Sequence, residues 1–276
     1  MIKINNIEFA YEEKAKLFDQ LNLSLERGKI YGLLGKNGTG KSSLLKLLQG
    51  LLFTKRGSIE IDQYRPSERS PHFLKEVYFL PEEYQLPSFS VLQYAELYGK
   101  FYPKFDYEKF LEIIKYFELK SDENIQHLSF GNKKKVLISF ALSCKCTYLL
   151  LDEPTNGLDI PTKSQLRKLF AKEISDDQCV VISTHQIRDL AQLMESIIIL
   201  NDGQIVLAHD LHVIEEKLKF QYDSSPQLDG SLYVEKAPGS FVHIVPNPQN
   251  IPSELDLEIL FNAVLKKSDL ILEQFN

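Results

Sequence analysis

An apolar run, a glycine-rich loop and an apolar helix follow one another without a break near the start of this chain, and few folds accommodate that sequence of events. Ile30–Leu34 is the kind of short continuous run that a strand buried on both faces requires. It leads directly into Gly35-Lys36-Asn37-Gly38-Thr39-Gly40-Lys41-Ser42, and then into a segment marked as helical by Leu44, Leu45, Leu47, Leu48 and Leu51. The loop fits G-x-x-x-x-G-K-[ST] in the strand–loop–helix setting that the pattern needs. Glycines let the backbone wrap a phosphate chain with its N–H groups aimed inward, and the helix start adds positive potential. Lys41 supplies a cation for the β/γ oxygens and Ser42 a hydroxyl for Mg²⁺. Alone, the motif specifies a nucleoside triphosphate and no more.

The rest of the chain reads as an α/β core. Ile2, Ile4, Ile7 and Phe9, and then Leu21, Leu23 and Leu25, alternate as half-buried strands do. Ile59 with Ile61, and Val77–Leu80 stopped by Pro81, predict further strands. From Ser88 to Cys144 the period becomes helical: Val91, Tyr94, Ala95 and Tyr98 form one stripe. Phe110, Ile113, Ile114 and Phe117 form another, behind Asp106 as N-cap. Thr147–Leu151 and Cys179–Ser183 are buried strands separated by a helix around Lys163–Phe170. Ser196–Leu200 and Gln204–Leu207, joined by Asn201-Asp202-Gly203, form a closing hairpin.

Three further segments carry chemistry. Asp152 and Glu153 end an apolar strand, where α/β sheets place ligand groups. One carboxylate there can hold Mg²⁺ through water while the other polarises the attacking water. Leu128-Ser129-Phe130-Gly131-Asn132 precedes Lys133-Lys134-Lys135 at a helix start, where cations oppose the helix dipole. Either that run is a solvated face or a bound anion offsets the penalty, with Ser129 and Gly131 as donors. His185 follows the strand after Asp152 and can reach the same γ-phosphate. Cys144-x-Cys146 has no second pair at zinc spacing and reads as two buried small hydrophobes.

Composition limits the alternatives. The 276 residues are 43% apolar and 25% charged, which is ordinary for a globular chain. Of the net charge of −6, residues 211–276 carry most, with 5 Lys and no Arg against 10 acidic residues, and five of the 12 prolines. A boundary is therefore expected near residue 210, with an accessory region at 211–276. Neither part offers the basic face that a nucleic-acid partner requires. No apolar stretch is long enough for a membrane span, the N-terminus lacks a secretory pattern, and three cysteines suit a reducing compartment.

Taken together, the motifs resemble those of the ATP-binding-cassette (ABC) ATPases over residues 1–210. GKNGTGKS is similar to the family's Walker A, LSFGN to its LSGGQ signature, YLLLDEPTNGLD to its Walker B and D-loop, and ISTHQ to its switch histidine. The resemblance implies an α/β P-loop NTPase core with an antiparallel β subdomain, a helical subdomain at about 84–147 and the C-terminal appendage. It implies Tyr11 stacked on adenine, and Gly35, Asn37, Gly38, Thr39, Gly40, Lys41, Ser42 and Ser43 around ATP. It also implies Mg²⁺ held by Ser42, Glu82 and Asp152, and catalysis by Glu153, His185 and Lys41. Ser129 and Gly131 would cap the ATP of a second ABC subunit in a head-to-tail dimer, with Asp159 at the seam. A separate membrane permease would then be the partner, the chain being cytoplasmic and peripheral on the inner face of the membrane. A soluble ATPase of an assembly process is the alternative. The sequence departs from the pattern at Glu82, where the family usually has Gln, and at Phe130 and Asn132, which replace Gly and Gln. The stretch SELDLEILFNAVLKK reads as a capped helix similar to the end of exporter-type cassettes; a small packing appendage is expected there.

Overall fold

The computed structural model describes residues 1–12 and 15–275. Its core is a six-stranded sheet of order β5-β6-β7-β3-β8-β9. β5 (Val77–Leu80), β6 (Tyr148–Asp152), β7 (Cys179–Thr184), β3 (Lys29–Leu34) and β8 (Ser196–Asn201) run parallel, and β9 (Gln204–Asp210) is antiparallel to β8. Side chains alternate across these strands. Leu33, Leu150, Val181 and Ile198 enter one apolar core, while Leu34, Leu149, Val180 and Ile197 enter another. Both faces are therefore covered, which is why the runs are continuous rather than alternating. Asp202 and Gly203 both have positive φ (46° and 74°), the geometry of the two-residue turn whose twist matches a hairpin.

One core lies under a second, antiparallel sheet of order β2-β1-β4, formed by β1 (Ile2–Phe9), β2 (Phe18–Leu25) and β4 (Arg56–Ile61). α1 (Lys41–Leu48) is sandwiched there through Leu44, Leu45, Leu47 and Leu48, and the four-residue α2 (Pro71–Leu74) adds Phe73. The other core carries α3 (Val91–Tyr98), α4 (Tyr107–Tyr116) and α5 (Phe130–Ser143). Asp106 caps α4 as expected, accepting from the Lys109 N–H at 2.9 Å. The aromatic stripes meet on Phe140 of α5, with ring centroids of Tyr78, Tyr94, Tyr102, Phe105 and Phe110 lying 5.0–6.4 Å away. Cys144 and Cys146 are buried and unbridged, in keeping with a packing role.

α6 (Ile160–Glu173) and α7 (Ile187–Leu190) complete the core, and α8 (Leu211–Lys217) starts at the residue after β9, so the expected boundary at 210 falls on a junction with no linker. The accessory region contains a third sheet, of order β10-β12-β11, built from β10 (Leu218–Asp223), β11 (Tyr233–Ala237) and β12 (Ser240–Pro246). Its apolar side chains, with those of α9 (Leu257–Lys266) and α10 (Ser268–Leu272), belong to the same core as those of α5 and β8 rather than forming one of their own. The helix expected from Ser253 starts later. Asp256 is the cap, accepting from the Glu258 and Ile259 N–H groups, whereas the Ser253 hydroxyl accepts from the Phe220 N–H of β10. The buried face of α9 is accordingly Leu257, Leu260, Ala263 and Val264, with Leu255, Ile259 and Phe261 half-buried. No helix among the described residues is long and apolar enough to cross a membrane.

Phe140 is the common contact of β5, α3, α4 and the α3–α4 connection, so its truncation leaves a cavity that no single element can close. Phe140→Ala is expected to destabilise the protein by about 3–5 kcal/mol. Chemical denaturation monitored by circular dichroism measures it, and a loss below about 1 kcal/mol would show that the helical layer is held elsewhere.

Candidate functional site

The register of the parallel sheet gathers the motifs. Leu34 lies opposite Thr184, and Asp152 opposite Ser183, so the residues that follow β3, β6 and β7 leave the sheet at one edge. These are the glycine-rich loop, Glu153 and His185. In the loop, Gly40 adopts φ +106°, and a Cβ there would lie 2.8 Å from the Phe18 ring, so the position excludes any side chain. Lys41 is buried, and its Nζ donates to the carbonyls of Gly35 (2.8 Å) and Lys36 (3.2 Å), 4.0 Å from Glu153 Oε1. Burial lowers the Lys41 pKa from the ordinary lysine value, opposed by the charges of Glu153, Asp152 and Glu82.

Glu153 is buried with φ +47°, a left-handed conformation that costs a non-glycine residue about 1–3 kcal/mol. The turn is held from several sides. Its N–H donates to the Ser183 carbonyl (3.1 Å) and lies 3.2 Å from the Ser183 hydroxyl, and its carbonyl accepts from the Asn156 N–H (3.2 Å). The carboxylate is asymmetric. Oε1 lies 2.7 Å from His185 Nδ1, while Oε2 is buried with no hydrogen-bond partner among the described residues. The neighbouring Asp152 is buried and accepts from the Ser183 hydroxyl.

A cavity of about 620 Å³ opens in front of this edge, lined by Tyr11, Asn37, Gly38, Gly40, Lys41, Ser42, Ser43, Glu82, Glu153 and His185, together with Ala15, Leu17 and Asn156. The Tyr11 hydroxyl pairs with the Ser43 hydroxyl at 2.8 Å and Phe9 packs edge-on at 5.0 Å, which fixes the Tyr11 ring at the rim. Gly35 and Thr39 shape the loop without lining the cavity, the Thr39 hydroxyl donating to the Lys36 carbonyl. Asp152 stands behind Glu153, outside the lining. Ser129, Gly131 and Asp159 also lie outside it; Ser129 and Asp159 cap α5 and α6, accepting from the Asn132 and Thr162 N–H groups. Ser42 and Glu82 bring oxygen donors to the cavity, of the hard kind that suits Mg²⁺.

Two residues given no individual role from the sequence belong here. Asn156 donates to Glu82 Oε1 at 2.8 Å and so holds the carboxylate that replaces the family's Gln. A loop asparagine gives no periodic signal. Lys134, within the basic run, is fully buried, neither solvated nor at a free helix start, and its Nζ donates to the Glu153 carbonyl at 3.1 Å. Its position was readable, because Phe130, Lys134 and Ile138 share one helical face. A second cleft adjoins the first: Gly35, Lys36, Asn37 and His185 face Glu258, Phe261 and Asn262 of α9, and Arg188 pairs with Glu258 at 2.6 Å. The accessory region thus touches the switch loop.

The chain is similar to known proteins in sequence and in fold. The ABC transporter family model matches residues 18–156. The ABC transporter ATP-binding protein YtrB of Bacillus subtilis (strain 168) is 26% identical over 271 residues, covering 98% of this chain and 88% of its own length. The molybdate import ATP-binding protein MolC of Haemophilus influenzae is 31% identical over 213 residues, 72% of this chain and 79% of that protein. Among solved structures, a dimeric post-hydrolysis state of the ATP-binding cassette MJ0796 bound to ADP and Pi superposes with a TM-score of 0.67 at 26% identity, covering 76% of this chain and 99% of that one. A P-loop whose lysine faces a buried glutamate–histidine pair, on a fold shared with that cassette, makes this chain a member of the ABC transporter family, an ATP-binding subunit with ATPase activity.

Proposed function

We propose that the chain pairs head to tail with a second ABC subunit around two ATP molecules and drives a separate membrane permease. The observation that carries this reading is the convergence of Lys41, Glu153 and His185 on one cavity whose rim is Tyr11. In the reaction, the oxygen of a water attacks the γ-phosphorus, the bond to the β-phosphate oxygen breaks, and ADP and phosphate leave. Glu153 Oε2 is free to take the proton of that water, because Oε1 is engaged by His185. Lys41 exchanges loop carbonyls for phosphate oxygens and neutralises charge as it develops. Ser42, Glu82 and Asp152, the last through water, would hold Mg²⁺, which when bound supplies further charge stabilisation at the phosphates.

Ser129 and Gly131 are assigned to the ATP of the partner subunit. They sit at the start of α5, outside their own chain's cavity, so a head-to-tail dimer gives them a use. Asp159 would meet the partner at the seam, where the adjacent Ile160 is 83% exposed. The chain would sit on the cytoplasmic face of the membrane through the permease, with no nucleic-acid partner. We propose export as the direction. It rests on the resemblance of the stretch 253–267 to the end of exporter-type cassettes.

Three measurements test the reading. Lys41→Ala should abolish ATP binding by calorimetry, and undiminished affinity would remove the P-loop from the mechanism. Glu153→Gln, which keeps volume and removes the base, should lower hydrolysis about 10²–10⁴-fold while ATP traps a dimer; hydrolysis at the parental rate would exclude Glu153 as the base. Purification from native membranes should return a polytopic protein, and recovery of soluble partners alone would favour the assembly role.

A further inference from the structure

Lys134 is a fully buried ammonium with no carboxylate at hydrogen-bond distance among the described residues, and neither nucleotide binding nor proton transfer as described above uses it. Burying a cation this way is unfavourable unless its surroundings compensate. Three kinds of group do so. The Glu153 carbonyl accepts from Nζ at 3.1 Å. The rings of Tyr84 and Phe130 lie 5.6 and 5.7 Å from the ammonium, stacked on each other at 5.8 Å and 14°, and the Tyr84 hydroxyl donates to the Phe130 carbonyl at 3.3 Å. The charges of Glu82, Asp152 and Glu153 also act on it; burial lowers the pKa of Lys134 and these carboxylates oppose the fall.

The clamp has a floor as well. Gly157 has φ +78°, and a Cβ there would lie 2.5 Å from the Phe130 ring, so the ring rests on bare backbone. Phe130, which replaces a glycine of the family's signature, is 51% exposed but touches Tyr84 on one side and Gly157 on the other. Lys134 lies four residues along α5, on the same face, and reaches the one peptide in that loop held in a left-handed conformation by a non-glycine residue.

We propose that Lys134 is a positioning residue for ATP hydrolysis, fixing the Glu153 carbonyl so that the base keeps its left-handed turn at the cavity wall. The Tyr84–Phe130 pair holds the lysine in place, which ties the base to the first turn of the signature helix. This rests on Glu153 being the base. Its signature is a split: kcat depends on Lys134, whereas ATP binding, made by the P-loop and Tyr11, does not.

The experiment compares Lys134→Met, which keeps length but loses donor and charge, with Lys134→Arg, which keeps donor, charge and stacking; Glu153→Gln serves as reference. Lys134→Met should lower kcat at least tenfold with the KM for ATP within twofold, and Lys134→Arg should recover kcat to within about threefold of the parent. Parental kcat in Lys134→Met, or equal losses in both variants, would overturn the proposal. Should Lys134→Met fail to bind ATP, Tyr84→Leu reads the same split, with kcat lowered about threefold at constant KM, and an unchanged kcat there would overturn it. The two failures are separable. A fully active Glu153→Gln removes the base assignment, whereas an inactive Glu153→Gln beside a fully active Lys134→Met removes only the role of Lys134.

Discussion

The register of β3 against β7, and of β7 against β6, decides the rest of the molecule. Because Leu34 faces Thr184 and Ser183 faces Asp152, three loops from distant parts of the chain begin at the same end of three adjacent strands. A slip of one residue would turn each strand's core side chains to the opposite face and exchange the two apolar cores. The cores therefore fix the register, and the register fixes the site. Ser183 serves both ends of this logic: its hydroxyl donates to Asp152, and its carbonyl accepts from the Glu153 N–H.

This dependence explains why the sheet and its loops were legible in the sequence. Strands covered on both faces show up as uninterrupted apolar runs, and ligand groups collect at their carboxyl ends, so Asp152, Glu153 and His185 could be placed from position alone. The accessory sheet was not legible for the opposite reason. β11 alternates Tyr233, Glu235 and Ala237 with Val234 and Lys236, which is a weak pattern, and β12 buries His243 where an apolar residue is expected. That imidazole is satisfied by the Ser231 hydroxyl and the Ser225 carbonyl, partners that only the folded chain supplies. The start of α9 was misplaced for a similar reason, since Ser253 spends its hydroxyl on β10.

The basic run 133–135 illustrates a different limit. Composition treats three adjacent lysines as equivalent, whereas a helix turns each by about 100°, so they meet three environments. Lys134 points into the site, and Lys135 lies over the Phe117 ring at 5.8 Å. Departures from the family pattern also make sense jointly rather than singly. Phe130 is too large for a bare glycine turn, yet it provides a ring face for Lys134 and rests on Gly157. Glu82 adds a negative charge where the family has an amide, and the chain answers with the Asn156 donor and a nearby buried cation.

The carboxylate of Glu153 shows what all this support achieves. A glutamate on a flexible loop would spread its two oxygens over many orientations, and both would be solvated. Here the backbone is held at its N–H by Ser183 and at its carbonyl by Asn156 and Lys134, and one oxygen is held by His185. Only Oε2 remains without a partner among the described residues, inside a buried setting where an unmet acceptor is unfavourable. With Glu153 as the proposed base, that ground-state cost would be relieved when the attacking water offers the same atom a proton. The positive φ and the orphan oxygen are therefore two local costs at the residue proposed as base, and the surrounding fold offsets both.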